Sequence, residues 1–116
     1  MTHSANEIAS LAQKAARGAG FPPGQAERFG QAAVRHLADG GAARALLDAL
    51  RDPADSPVLR LPLLLDDIQR AVALAGPEVT LSLQPGDAAL APAYARLLPM
   101  QVSALTVEPA QGDSPA

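Results

Sequence analysis

The run Lys14-Ala15-Ala16-Arg17-Gly18-Ala19-Gly20, followed by Phe21-Pro22-Pro23-Gly24, gathers two cations, three glycines and two prolines into eleven residues. These are the residue types of an anion site: positive charge beside backbone that a ligand can approach closely. Such a site at a helix start needs free amides pointing at the ligand, and Pro22 and Pro23 have none. The spacing Gly18-x-Gly20-x-x-x-Gly24 fits neither the dinucleotide fingerprint nor the P-loop, and no strand pattern precedes it. Lys14 and Arg17 also fall at a helix end, where cations complement the helix dipole. The stretch therefore reads first as a cap and a corner. Contact with an anion or ligand through Lys14, Arg17, Gly18 and Gly20 is the alternative.

The other reactive side chains are sparse. His3 and His36 are the only histidines and there is no cysteine. Thiolate metal sites, disulfides and cysteine nucleophiles are thereby excluded, and a histidine metal site would need several converging ligands. His36 stands beside Arg35 at the end of a helical pattern, where a cation is favourable without any chemistry. Asp66 and Asp67 are adjacent, so on a helix they point about 100° apart and cannot act together as an acid/base pair. They read as solvated carboxylates, with Asp67 within i, i+3 reach of Arg70. No serine sits in a nucleophile-elbow context, and no EF-hand, HExxH or Walker pattern occurs. No catalytic residue, metal or cofactor is expected.

The elements that must carry these residues follow from their periodicity. Ser4-Ala5-Asn6-Glu7 is a capping box, and Ile8, Leu11, Ala12, Ala15 and Ala19 recur behind it at helical spacing. Gly18 or Gly20 supplies the stop. A second helix starts at the prolines, with Ala26, Phe29, Ala33, Val34 and Leu37 as its stripe and Gln25, Glu27, Arg28, Gln31 and Arg35 outside it. Asp39-Gly40-Gly41 ends it, and a short third helix spans about 42–50. After the loop from Asp52 to Pro57, a fourth helix is expected to open at Leu61-Pro62 and run to Gly76-Pro77, with Leu64, Leu65, Ile68, Ala71, Val72 and Ala75 as its stripe. Val79, Leu81 and Leu83 then alternate with polar residues, as in a strand. Pro85-Gly86-Asp87 reads as a turn, 89–98 as a short helix or irregular bridge interrupted by Pro92, and 102–107 as a second strand. The expected class is α+β: mainly helical, about four helices with a C-terminal strand pair. One domain over residues 1–107 and a flexible tail over 108–116 are expected.

Composition narrows the partners. The net charge is −3 and the pI about 5.2, with 3% aromatic residues, so neither the basic footprint nor the stacking platforms of a nucleic-acid binder are present. No apolar run reaches the roughly 20 residues that span a bilayer, and the N-terminus lacks the apolar region of a secretory signal. The expected address is cytoplasmic, with no membrane and no nucleic acid as partner.

The N-terminal third resembles an uncharacterised bacterial family known only as a domain of unknown function. The resemblance rests on Asn6-Glu7-Ile8, the run from Lys14 to Gly20, and Gly24 with Ala26-Glu27, and it covers about the first 40 residues. Members carry an aromatic before the glycine that matches Gly24, where this chain has Pro23. The resemblance implies no reaction and no ligand. The function is thus unknown from sequence. The leading expectation is a non-catalytic interaction or assembly protein that self-associates as a homodimer or binds a protein partner, through a strand edge or the helix-four face containing Leu64, Ile68 and Val72. A small accessory subunit or enzyme with an anion pocket near the Lys14–Gly20 run is the alternative.

Overall fold

The computed structural model describes residues 4–76, 78–98 and 104–109. In chain order the elements are α1 (Ala5–Ala19), α2 (Pro23–Ala38), α3 (Ala43–Ala49), α4 (Pro57–Ala75), β1 (Glu78–Leu83), α5 (Pro85–Ala95) and β2 (Ala104–Pro109).

α1 begins as its capping box dictates. The Glu7 amide donates to Ser4 Oγ and the Ser4 amide to Glu7 Oε1, each at 3.1 Å. It ends at Gly20, whose φ of 108° is left-handed. The Gly20 amide donates to Arg17 O and the Phe21 amide to Ala16 O, which satisfies carbonyls the helix leaves open. Gly18 lies inside the helix, where an added methyl group would meet only open space. The two glycines therefore respond oppositely to alanine. Gly20→Ala should cost about 1 kcal/mol or more, and Gly18→Ala should stabilise by about 0.5–1 kcal/mol. Urea denaturation midpoints of the two variants, moving in opposite directions, are the check.

α2 packs on α1 through small residues. Ala16, Ala26 and Ala33 are fully buried, and a methyl group on Gly30 would lie 2.5 Å from the Ala9 carbonyl oxygen. Ser56 links α3 to α4. Its hydroxyl donates to Ala49 O at 2.5 Å and accepts from the Val58 amide at 3.1 Å, capping α4. α4 thus opens four residues before the expected Leu61-Pro62 start. Pro57 takes the first-turn position that suits proline, and Pro62 sits inside the helix.

The centre of the core is α5. Leu90 and Tyr94 are fully buried and Ala91 and Ala93 nearly so, and the helix touches α2, α3 and α4. A helix apolar on all sides belongs in an interior. The expected turn at Pro85-Gly86-Asp87 is instead its first turn. Pro85 begins it, and Asp87 stands where a carboxylate meets the positive end of the dipole. Asp87 is held there by Arg60, whose Nε and Nη2 donate to its two oxygens at 2.7 Å each. Arg60 also pairs with Asp55. At the far end of α5, Arg96 Nη1 donates to both carboxylate oxygens of Asp39, after α2, at 2.6 and 2.7 Å.

The α+β expectation is overturned. Five helices, not four, carry the core, and no C-terminal β layer forms among the described residues. The extended segments β1 and β2 lie on either side of α5 in the chain and run parallel, Glu78 opposite Ala104 through Leu83 opposite Pro109. Two short strands of this kind are not a layer, and the protein is a mainly helical fold. Alternation marks extended chain but not its neighbour, and a crossover helix between two strands returns the chain in the same direction. Of the expected tail, residues 110–116 lie outside the described residues, as do Val102 and Ser103 of the second expected strand. Among the described residues no helix is long and apolar enough to cross a membrane.

Candidate functional site

Lys14, Arg17, Gly18 and Gly20 remain together at the surface, all four exposed. Neither Lys14 nor Arg17 makes a side-chain hydrogen bond or ion pair with another described residue. The Gly20 and Phe21 amides are spent on the cap. A methyl on Gly20 would meet Pro53 at 3.6 Å, so the corner leans on the loop before α4. The run is a helix stop whose cations face outward, and the depressions described below are lined by other residues.

His36 is buried. Its Nε2 donates to Ala42 O at 2.8 Å, and the Gly41 amide donates back to His36 O at 2.7 Å. A side chain at Gly41 would strike the imidazole. This histidine holds the α2–α3 turn closed. His3 lies outside the described residues. No cluster of three or more metal-ligating side chains occurs among the described residues.

A surface groove lies between α2 and α4. It comprises two adjoining depressions that share Arg28 and Asp66. One, of about 300 Å³, has Gln31 and Gln69 as further walls and Leu65, Leu97 and Leu98 as apolar lining. The other, of about 400 Å³, is lined by Gly24, Gln25, Glu27, Pro62 and Leu63. Arg28 and Asp66 form no ion pair with each other or with another described residue, so a cation and a carboxylate stand available on opposite walls. The lining offers hydrogen-bond donors, acceptors and leucines. Its carboxylates are those of Asp66 and Glu27, and among the described residues no histidine or serine is part of the lining. Sequence reading placed Arg28 on the outer face of the second helix and Asp66 among solvated carboxylates. Their 38-residue separation carries no local signal that they share a groove.

Tyr94, one turn before Leu97 and Leu98, is the one tyrosine of the chain. Its hydroxyl is buried and makes no hydrogen bond with a described residue. Burial pushes the phenol above its ordinary value near 10, and the positive charge of Arg28 pulls it partly back. Above pH 10 the unfolded phenol loses a proton that the native one keeps. The stability contribution is therefore complete below pH 10 and falls as pH rises beyond it. Alkaline unfolding should coincide with phenolate absorbance. Tyr94→Phe should remove that dependence and, by eliminating an unpartnered buried hydroxyl, leave stability at neutral pH unchanged or higher by about 1 kcal/mol. Denaturant melts across the alkaline range check both.

Fold and groove together define a small, mainly helical protein with a polar-walled surface groove. The sequence profile of DUF3726, described as "Protein of unknown function", matches residues 3–63. That is more than half of the chain, and the chain belongs to this family. The match bears out the resemblance carried by the N-terminal third and extends it through α2 and α3 into the first turns of α4. Comparison with curated proteins and with solved structures gave no match.

Proposed function

We propose that this protein is a non-catalytic interaction or assembly protein of the bacterial cytoplasm that associates with itself. The observation that carries the reading is on α4. Leu63 and Leu74 are 69% and 88% exposed, although the same helix buries Leu61, Leu65 and Ile68 in the core. One side of the helix is covered within the chain, while the other presents two leucines, about three turns apart, to the outside. The helix-four face named from sequence is turned to the core, with Ile68 buried and Leu64 and Val72 packed half-buried against it. A cysteine-free chain suits a reducing compartment. Sedimentation velocity over a dilution series through the micromolar range should show a mass that rises with concentration. A constant monomer mass at the highest concentration would refute the reading.

The alternative, an accessory subunit or enzyme with an anion pocket at Lys14, Arg17, Gly18 and Gly20, draws on two outward cations with no partner among the described residues. It predicts a saturable rise in melting temperature with inorganic phosphate that is lost in Arg17→Ala.

A further inference from the structure

We infer that the outer face of α4 is a self-complementary surface that pairs with α4 of a second copy in a two-fold, antiparallel arrangement. The inference rests on the self-association proposed above and names its surface. Leu63 and Leu74 are eleven residues apart, about three turns at 3.6 residues per turn, so they project from one side of the helix. Between them on that side stand Asp67 and Arg70, both exposed, with Arg70 Nη1 3.1 Å from Asp67 Oδ1.

The order of these four residues is symmetric in a chemically meaningful way. Leu63 and Leu74 are centred between residues 68 and 69, and so are Asp67 and Arg70. In a two-fold interface, residue i meets j while j meets i. If the axis passes through that shared centre with the helices antiparallel, Leu63 faces Leu74 of the second copy at both ends. In the middle, Asp67 faces Arg70 of the second copy, twice. A parallel arrangement in register would instead set Asp67 against Asp67 and Arg70 against Arg70, and like charges in apposition are disfavoured. The charges therefore select direction and register, and the leucines supply the apolar burial.

The α2–α4 groove supplies a receptor for the outer leucine. The depression of about 400 Å³ beside Leu63 has Pro62 and Gly24 among its lining, with Arg28 and Asp66 at its polar wall. In the antiparallel arrangement, Leu74 of the second copy reaches Leu63 and this depression. Three turns of helix make a small contact, below the roughly 1,200 Å² typical of stable complexes, so association in the micromolar range is expected.

Charge reversal tests the geometry. Asp67→Arg and Arg70→Asp should each weaken self-association by about tenfold or more, because both central pairs become repulsive. Mixed one to one, the two variants should associate with each other. The arginine introduced in one variant then faces the aspartate introduced in the other, and the remaining pair keeps its original signs. Leu74→Asp should also give monomers, and the circular dichroism melts of all variants should remain cooperative because these side chains are exposed. Sedimentation velocity reads every arm. A wild-type chain that stays monomeric overturns this inference and the self-association reading together. A wild-type chain that associates while Leu74→Asp and both charge variants associate equally well overturns this surface alone. Variants that are monomeric both singly and mixed overturn the antiparallel two-fold arrangement.

Discussion

Arg60→Met is expected to destabilise the protein by about 3 kcal/mol or more at neutral pH, the largest effect of any single substitution considered. The reason lies in the exposure of the two partners. Arg60 is partly solvated, but the Asp87 side chain is only 7% exposed. Removing the guanidinium leaves a largely buried carboxylate without the two 2.7 Å hydrogen bonds that hold it. The pair is charge-assisted and bidentate, the strong form of this interaction. Hydrogen bonding to Asp87 is also the main cause that raises the Arg60 pKa above its ordinary value, so the arginine stays charged at every accessible pH. Two comparisons isolate the cause. Asp55→Ala removes the other partner of Arg60, whose side chain is 73% exposed, and should cost less than about 1 kcal/mol. The double variant Arg60→Met/Asp87→Leu removes both charges and should recover much of the loss, because a buried ion pair exchanged for apolar packing is often neutral. Denaturant midpoints of the three variants decide the matter. A small effect for Arg60→Met would show that Asp87 reaches solvent.

Gly30→Ala should lower stability by about 2 kcal/mol despite replacing a helical glycine with the best helix former. In an open helix that change gains about 1 kcal/mol. Here the added methyl would lie 2.5 Å from the Ala9 carbonyl oxygen and 3.3 Å from Gln13 Cβ. The obstacle is backbone, so α1 must move as a body away from α2, and Ala16, Ala26 and Ala33 lose their close packing with it. Overpacking of this kind typically costs about 1–3 kcal/mol, and Gly30→Val should cost more than alanine does. Gly18→Ala on the neighbouring helix is the natural control, with the same substitution, no clash and the opposite sign. Thermal melts that rise for both glycines would mean that α1 and α2 are not in contact at this point.

These two sites also show where local pattern and tertiary contact part company. The α1 stripe was legible only in part, since Leu11 is 57% exposed and the residue the helix buries is Ala16. The capping box at Ser4 and Glu7, the stop at Gly20, the start of α2 at Pro23 and the helical stripe of α2 were legible from residue type and spacing. Each is decided within one or two turns of chain, by hydrogen bonds to near neighbours and by backbone preferences that glycine and proline express strongly. The family resemblance was legible for the same reason, since it rests on that same N-terminal half.

α5 was not legible. Its run of alanines with Leu90 and Tyr94 has no polar face to give a period, and Pro85 and Pro92 read as breaks. Only packing against α2, α3 and α4 makes it the central helix. The early start of α4 was hidden likewise, because Ser56 caps it with a hydroxyl also bound to Ala49 O in α3. The strand pair misled because alternation reports extended chain and says nothing of direction, pairing or layer. For the site, the sequence offered Gly18 or Gly20 as the helix stop, and Gly20 is the cap. The sequence could not bring Arg28 to Asp66, although the α4 stripe with Leu65 and Ile68 is the face the core covers. Composition, capping and helix boundaries in the N-terminal half follow from the chain alone because their physics is local. The groove, the half-buried Arg60–Asp87 pair and the outward side with Leu63 and Leu74 come from the tertiary structure, because each depends on residues that meet only when the helices pack.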